Sequence, residues 1–222
     1  MTISPTSSPP PARPRPRLAV PGRHVVGMVA RLAPDSGPTA ASVSACAQLR
    51  RGLGREPGSV PEIWPWTVDG LTNDETSDRV TAEEAAVHHA LTLFAFHQQG
   101  KSARMHDPDR TFGAAVRWLA DRGRGERPIH ETPVYRRFSA LTTAGSVGEV
   151  SVHGRGLVGQ LKAEGLGFDY ARFADDLFYL GLPGRAAAVR RRWSRAFFAR
   201  QLAAEDPSLD IQPIDQTPVE GD

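Results

Sequence analysis

Apolar residues recur at helical spacing in seven segments of this 222-residue chain, and no segment shows the apolar–polar alternation of a half-buried strand. One segment also begins with a capping box, Thr81 followed three residues later by Glu84. The pattern predicts an all-α fold, a helical bundle of about seven helices that forms one unit or two small helical subdomains. The predicted helices cover residues 39–53, 81–98, 109–121, the stretch from 132, 146–164, 169–180 and the stretch from 183.

Four regions differ in composition along the chain. Residues 1–38 are rich in proline and arginine, and repeated proline blocks a regular helix, so we expect a disordered extension there. Its PxxP spacing would suit a peptide-binding partner, and a solvated tail is the alternative. Residues 39–130 are expected to form an N-terminal helical part and residues 131–205 a C-terminal helical bundle. Residues 206–222 contain five acidic and no basic side chains, which predicts a flexible acidic tail.

The composition disfavours several classes of protein. No run of about 18 apolar residues is present, so we expect no membrane-spanning helix. The N-terminal residues lack the apolar core of a signal peptide, which favours a cytoplasmic location. The single cysteine, Cys46, excludes an internal disulfide framework and a cysteine-rich zinc site.

Motifs that would support catalysis are weak. Residues 154–159 match GxGxxG, but they lie inside a helical pattern with no strand before them, so close helix packing is the favoured interpretation. The segment 81–98 carries three histidines without HExxH spacing, and we expect His89 to be a hydrogen-bonded core residue. Asp175 and Asp176 are adjacent and point about 100° apart on a helix, so we expect one of them to be solvated. These patterns predict no cofactor, no metal site and no enzymatic activity; dinucleotide binding at the glycines is the enzymatic alternative.

Basic side chains form clusters on several predicted helices. Of the 27 basic residues only Lys101 and Lys162 are lysines, and the arginine guanidinium fits phosphate oxygens particularly well. Arg195 and Phe198 share a side of the last helix, where a ring would stack on a base. The clusters predict contacts to the nucleic-acid backbone that tolerate any sequence and weaken with salt; solvated helix faces are the alternative. The predicted binding residues are Arg50, Arg51, Arg136, Arg137, Arg155, Lys162, Arg191, Arg192 and Arg195.

Several short motifs follow one another between about residues 40 and 200. Besides the apolar helix at 82–96, they are Cys46-Ala-Gln-Leu-Arg-Arg51, Phe112-Gly-x-Ala-x-x-x-Leu119, Tyr135-Arg-Arg-Phe-x-x-Leu141, Val152-His-x-Arg-x-Leu-Val-x-x-Leu-Lys162, Phe168-Asp-Tyr-x-x-Phe-x-x-Asp-Leu177 and Val189-Arg-Arg-Arg-Trp-x-x-x-Phe197. In this order the motifs resemble the CasB family, the small subunit of the type I-E CRISPR interference complex Cascade.

The resemblance implies an all-helical, non-enzymatic subunit that is present in two copies. It implies packing against the backbone subunits that hold the guide RNA and against the large subunit, and contacts to the target DNA and the displaced single strand of the R-loop. The matching basic positions, Arg50, Arg51, Arg136, Arg137 and Arg155, are implied to contact the nucleic-acid backbone. The proline-rich extension, the acidic tail and the glycines at 154, 156 and 159 depart from the family pattern.

The residues leave a second hypothesis open. A helical adaptor that binds only proteins would use the same arginines to meet acidic partners. Replacing these arginines with alanine distinguishes the two hypotheses. A nucleic-acid-binding subunit would lose DNA retention, whereas a protein-only adaptor would lose assembly.

Overall fold

The computed structural model describes residues 17–71 and 79–199, and this part of the chain is all-α, as predicted. It contains nine α-helices, two short 3-10 helices and one isolated β-bridge between His106 and Phe168. Seven of the helices correspond to the predicted ones, and α1 and α3 are additional. The helices are α1 (Val20–Leu32), α2 (Ala40–Arg51), α3 (Trp64–Thr67), α4 (Ala82–Gln98), α5 (Phe112–Arg124), α6 (Pro133–Thr143), α7 (Val147–Glu164), α8 (Tyr170–Gly181) and α9 (Ala186–Phe198).

Local side-chain caps define where most of these helices begin. The predicted capping box of α4 is confirmed: the Glu84 amide donates to Thr81 Oγ1 at 3.1 Å, and the Thr81 amide donates to Glu84 Oε2 at 2.8 Å. Thr132 caps α6, and Pro133 occupies the first position of that helix. Asp169 caps α8 by accepting two backbone amides. These starts depend only on neighbours in sequence, which is why the sequence pattern locates them.

Helix α4 lies at the centre of the core. Every residue from 86 to 95 is buried, and the helix packs against α1, α2, α7 and α8. Only the ends of α4 approach the surface, and Phe96 in its last turn is partly buried. The central helix therefore places an aromatic ring where α2 and α7 meet the solvent.

The expected disordered extension at residues 1–38 is wrong for residues 20–32, which form α1. Val25, Val29 and Leu32 follow each other at helical spacing and are almost fully buried, and α1 packs against α4 and α8. Proline and arginine dominate the composition of the region and conceal this short apolar stripe. Residues 1–16 lie outside the described residues.

The expectation that Asp175 or Asp176 is solvated is also wrong, because both are buried. Asp175 accepts the backbone amides of Ala19 at 2.9 Å and Gly22 at 2.7 Å, so it caps α1 from a distant helix. Asp176 forms an ion pair with Arg192 of α9. The two aspartates thus face two different helices, α1 and α9. The sequence pattern of α8 alone does not show which helices pack against it.

One hydrophobic core cluster joins helices from both sides of residue 130. Helix α4, for example, packs against α2 before that residue and against α7 and α8 after it. Within the described residues, the predicted parts at 39–130 and 131–205 therefore share one hydrophobic core. No helix in the described ranges combines the length and apolarity needed to cross a bilayer. Residues 200–205 and the predicted acidic tail at 206–222 lie outside the described residues.

Candidate nucleic-acid interface

Two cations of α7 lie over the ring of Phe96 at the end of α4. The Arg155 Cζ atom is 5.6 Å from the ring centroid, and the Lys162 Nζ atom is 5.0 Å from it. Seven residues separate the two cations, which is two helical turns, so both project from the same side of α7. Lys162 Nζ also donates to Gln99 Oε1 at 3.0 Å. Phe96 therefore holds the two charges in fixed places at the surface.

The glycines of α7 border this arrangement. A β-carbon on Gly159 would lie 3.7 Å from the Phe96 ring, and one on Gly156 would lie 4.0 Å from Arg137 Cδ of α6. Gly154, on the buried side, faces core leucines. The three glycines of the GxGxxG match thus lie within one helix and against its neighbours, at distances that would also admit a methyl group.

Two further cations act on Lys162. Burial lowers the pKa of its amine, and the positive charges of Arg50 on α2 and Lys101 after α4 lower that pKa further. Arg137 lies beside Gly156, one residue from Arg155. We call this group the Phe96 basic surface; its members are Arg50, Lys101, Arg137, Arg155 and Lys162.

No carboxylate within the described ranges forms an ion pair with any member of the Phe96 basic surface. Arginines elsewhere are paired, as on α5, where Arg117 and Arg124 both meet Asp121. Like charges held together without counter-charges repel each other, and an incoming anion relieves that repulsion. The surface is therefore suited to bind a polyanion.

Helix α9 presents a second, separate basic face. Arg191 and Arg195 are exposed on the side opposite the buried stripe of Val189, Trp193 and Phe197. Phe198 is 50% exposed, and its ring centroid lies 6.0 Å from that of Tyr135 on α6. No hydrogen bond, ion pair or cation–ring contact in the described ranges links Arg191 or Arg195 to the Phe96 basic surface.

The nine predicted binding residues therefore divide into groups. Arg50, Arg137, Arg155 and Lys162 converge on the Phe96 basic surface. Arg51 and Arg136 are exposed next to two of its members, and α9 carries Arg191 and Arg195 on its own face. Arg192 differs from the rest, because Asp176 already neutralises its charge within the molecule.

The sequence interpretation did not include Lys101 or Phe96 in the binding surface. Lys101 follows α4 in a turn, and the nearest arginine in sequence, Arg104, is three residues away, so no adjacent pair of basic residues marks this position. The available signal was that the only two lysines, Lys101 and Lys162, lie next to apolar helix ends. Phe96 looked like one more core residue of α4.

Other titratable groups lie in the core. His89 is buried, as predicted, but the described residues give its side chain no hydrogen bond, and its Nδ1 is buried without a partner. The neighbouring His88 makes hydrogen bonds of 3.1 Å to the carbonyls of Gly52 and Arg55. Burial raises the pKa of the Cys46 thiol to about 11. Among the described residues no group of three histidine, cysteine or acidic side chains could hold a metal ion.

Comparisons with known proteins agree with this architecture. The family model of the CRISPR-associated protein Cse2 matches residues 45–198. The crystal structure of CasB from Thermobifida fusca matches with a TM-score of 0.67 and 27% identity, covering 82% of this chain and 100% of that chain. No curated protein matches. The family match spans well over half of the chain and agrees with the resemblance in its motifs, so the chain belongs to the Cse2/CasB family, a subunit of the type I-E CRISPR complex Cascade.

Proposed function

We propose that this chain is a non-catalytic subunit that binds nucleic-acid backbone and stabilises the R-loop, holding the target and displaced strands during guide-RNA-directed defence. The observation that carries the proposal is the convergence on the Phe96 basic surface of five cations from α2, α6, α7 and the turn after α4, none of which has an ion-pair partner among the described residues. In the same proposal two copies of the chain pack against the guide-holding backbone subunits and the large subunit of Cascade.

The chemistry of the surface favours contacts to phosphate rather than to bases. Its members are arginines and lysines, which neutralise phosphates regardless of sequence. Arg155 and Lys162 already cover the Phe96 ring, which leaves that ring unsuited to stacking on a base. Binding should therefore tolerate any target sequence, with the guide RNA supplying specificity by base pairing.

Modest contacts are sufficient for this role. Replacing a DNA duplex by an RNA–DNA hybrid is nearly balanced in free energy, so a few phosphate contacts to a separated strand shift the equilibrium toward the open R-loop. Three lost contacts to a single strand should change the slope of log affinity against log salt by roughly 2 units.

The test uses the complete Cascade with its guide RNA and a matching DNA duplex. A triple variant, Arg50→Ala, Arg137→Ala and Arg155→Ala, is compared with the unaltered complex over a salt series. We expect normal assembly, weaker DNA retention and a salt slope smaller by roughly 2 units. The matched control also removes three positive charges, with Arg122→Ala, Arg124→Ala and Arg127→Ala; the first two arginines are already ion-paired. The control should keep the original slope.

The protein-only adaptor makes the opposite prediction. If the triple variant retained DNA with an unchanged salt slope but failed to join the complex, the arginines would be meeting acidic proteins. That result would overturn the proposal of backbone binding. Size-exclusion chromatography of the complex separates the two outcomes before any DNA is added.

A further inference from the structure

A groove of about 370 Å³ adjoins the Phe96 basic surface. It lies between the end of α1, helix α2 and the turn that follows α4, and its floor is apolar. Val43, on its wall, is 57% exposed. The apolar lining residues are Leu32, Ala33, Pro34, Pro38, Val43 and Cys46.

The rim of this groove carries part of the same charge. Arg50 and Lys101 line the groove, and both also lower the pKa of Lys162 on the basic surface. A third cation on the rim, Arg104, is paired with Asp35 at 2.8 Å. Gln99, which also lines the groove, accepts a hydrogen bond from Lys162 at 3.0 Å, so the groove and the basic surface adjoin each other.

The chain contains a segment of complementary chemistry. Residues 206–222, the acidic segment, carry five acidic and no basic side chains. Aliphatic residues alternate with these acids, at Leu209, Ile211, Ile214 and Val219. A segment that combines carboxylates with aliphatic side chains matches an apolar groove with a positive rim.

The connection to the fold makes contact within one molecule feasible. Helix α9 ends at Phe198, whose ring contacts Tyr135 on α6, two residues from Arg137 of the basic surface. Residues 200–206 could span up to about 24 Å. The rise along α7 from Gly156 to Lys162 is only about 9 Å. The linker can therefore bring the start of the acidic segment to the part of the surface beside α6 and α7, and the length of the segment itself extends from there toward the groove.

We propose that the acidic segment binds the groove and the Phe96 basic surface of its own molecule, and that nucleic acid must displace it. The inference rests on the proposed function, since it describes regulation of the same surface. A tethered segment has an effective concentration on the order of 1 mM. If the free peptide binds with a Kd of about 100 µM, tethering weakens nucleic-acid binding about tenfold. Competition from the segment thereby prevents weak binding of incidental nucleic acid, while a long or well-positioned strand still binds.

The primary experiment uses the full chain and fluorescent oligo-dT of about 30 nucleotides. A neutral variant carries Asp206→Asn, Asp210→Asn, Asp215→Asn, Glu220→Gln and Asp222→Asn. We expect it to bind the oligonucleotide about tenfold more tightly than the unaltered chain, as should a chain that ends at residue 205. Equal affinities, within twofold, would overturn the inference.

A second experiment locates the contact. A synthetic peptide of residues 206–222 should bind the chain that ends at residue 205. Arg50→Ala with Lys101→Ala should weaken that binding at least fivefold, and Arg122→Ala with Arg124→Ala should leave it unchanged. A neutral variant that binds DNA more tightly without any peptide binding to the groove would indicate long-range repulsion instead, and would overturn the inference.

Failure of the inference and failure of the proposed function give different results. If only the inference fails, the unaltered and neutral chains bind DNA equally, and Arg50→Ala, Arg137→Ala and Arg155→Ala weaken both. If the proposed function fails, that triple substitution changes DNA binding in neither chain. Peptide binding to the groove is measured without DNA, so it is decisive even where the isolated chain does not retain the oligonucleotide.

Discussion

At the scale of single residues, neighbouring arginines of α9 have different roles because only one of them has an acidic partner. Arg191 and Arg192 are adjacent, yet the first is exposed and the second donates to Asp176 at 2.9 Å. Trp193 Nε1 donates to the other oxygen of the same carboxylate. The buried aspartate thus joins α8 to α9, and one arginine of the cluster contributes to the fold rather than to a binding face.

Replacing Arg192 should therefore affect stability and leave nucleic-acid binding unchanged. Arg192→Ala leaves the Asp176 carboxylate buried without its counter-charge, and we expect a loss of about 2 kcal/mol in the free energy of unfolding. This is less than for a fully buried pair, because the Arg192 side chain is half-exposed. Urea unfolding measures the loss, and the control Arg191→Ala should change stability by under about 0.5 kcal/mol. An unchanged midpoint for Arg192→Ala would contradict the structural role.

The buried His97 links stability to pH. Burial lowers its pKa to about 4, and the nearby charges of Lys101 and Lys162 lower it as well. The unfolded chain binds a proton at this residue below about pH 6.5 while the folded chain does not, so folding stability falls as pH decreases from 6.5 to 4. The contribution of His97 to that loss between pH 7 and pH 5 is about 2 kcal/mol.

His97→Gln should reduce this pH dependence. A glutamine amide can still bond to the Tyr170 hydroxyl, which lies 3.0 Å from His97 Nδ1. Urea unfolding at pH 7 and pH 5 should show a loss about 2 kcal/mol smaller in the variant than in the unaltered chain. His153→Gln, at a partly exposed position of α7, is the control and should retain the full loss. Equal pH dependence in both variants would rule out His97 as the source.

At the scale of helices, a glycine of α5 and a glycine of α7 differ in the space that their surroundings leave for a side chain. A β-carbon on Gly113 of α5 would lie 2.5 Å from the Trp193 carbonyl oxygen, so this glycine allows α5 and α9 to approach closely. A β-carbon on Gly156 of α7 would meet nothing nearer than Arg137 Cδ at 4.0 Å. The first glycine is required by backbone contact between helices, whereas the second has room for a methyl group.

Alanine substitutions should separate the two cases. Gly113→Ala forces α5 away from α9, and we expect a loss of about 2–3 kcal/mol in the free energy of unfolding. Gly156→Ala removes the helix penalty of glycine and should stabilise the chain by about 0.5–1 kcal/mol. Chemical denaturation of both variants under one set of conditions checks the signs. A destabilised Gly156→Ala would mean that Arg137 cannot yield to the added methyl group.

At the scale of the whole molecule, the buried helix α4 organises both the core and the binding surface. Its middle turns pack against four helices, and its final turn places Phe96 between cations from α7. The turn that follows supplies Gln99 and Lys101. As a result the only two lysines of the chain, 61 residues apart in sequence, lie on one surface.

This convergence can be measured by amine labelling. In assembled Cascade, we expect target DNA to reduce acetylation of Lys101 and Lys162 together, by at least about fivefold, because the proposed function places both lysines against one strand. Mass spectrometry resolves the two sites readily in a chain with two lysines. Protection should disappear in the complex that carries Arg50→Ala, Arg137→Ala and Arg155→Ala. Protection of one lysine alone would contradict a continuous surface.

Local sequence patterns were enough to predict the all-α class, most helix positions and the family. These depend on apolar spacing within a few turns and on caps such as Thr81 with Glu84, where the interacting groups lie three or four residues apart. The same patterns also identified most of the cations that converge. Helix α1 was missed because proline and arginine mask its short apolar stripe, and its cap comes from Asp175, more than 150 residues away.

Which cations share a surface and which are neutralised depends on how the helices pack. Lys162 meets Gln99 across 63 residues of sequence, and Arg192 meets Asp176 on another helix. Charge interactions depend on distance through space and on burial, and neither is encoded in local periodicity. Helix packing therefore brings one set of basic residues together on a common surface and places Arg192 in a structural ion pair.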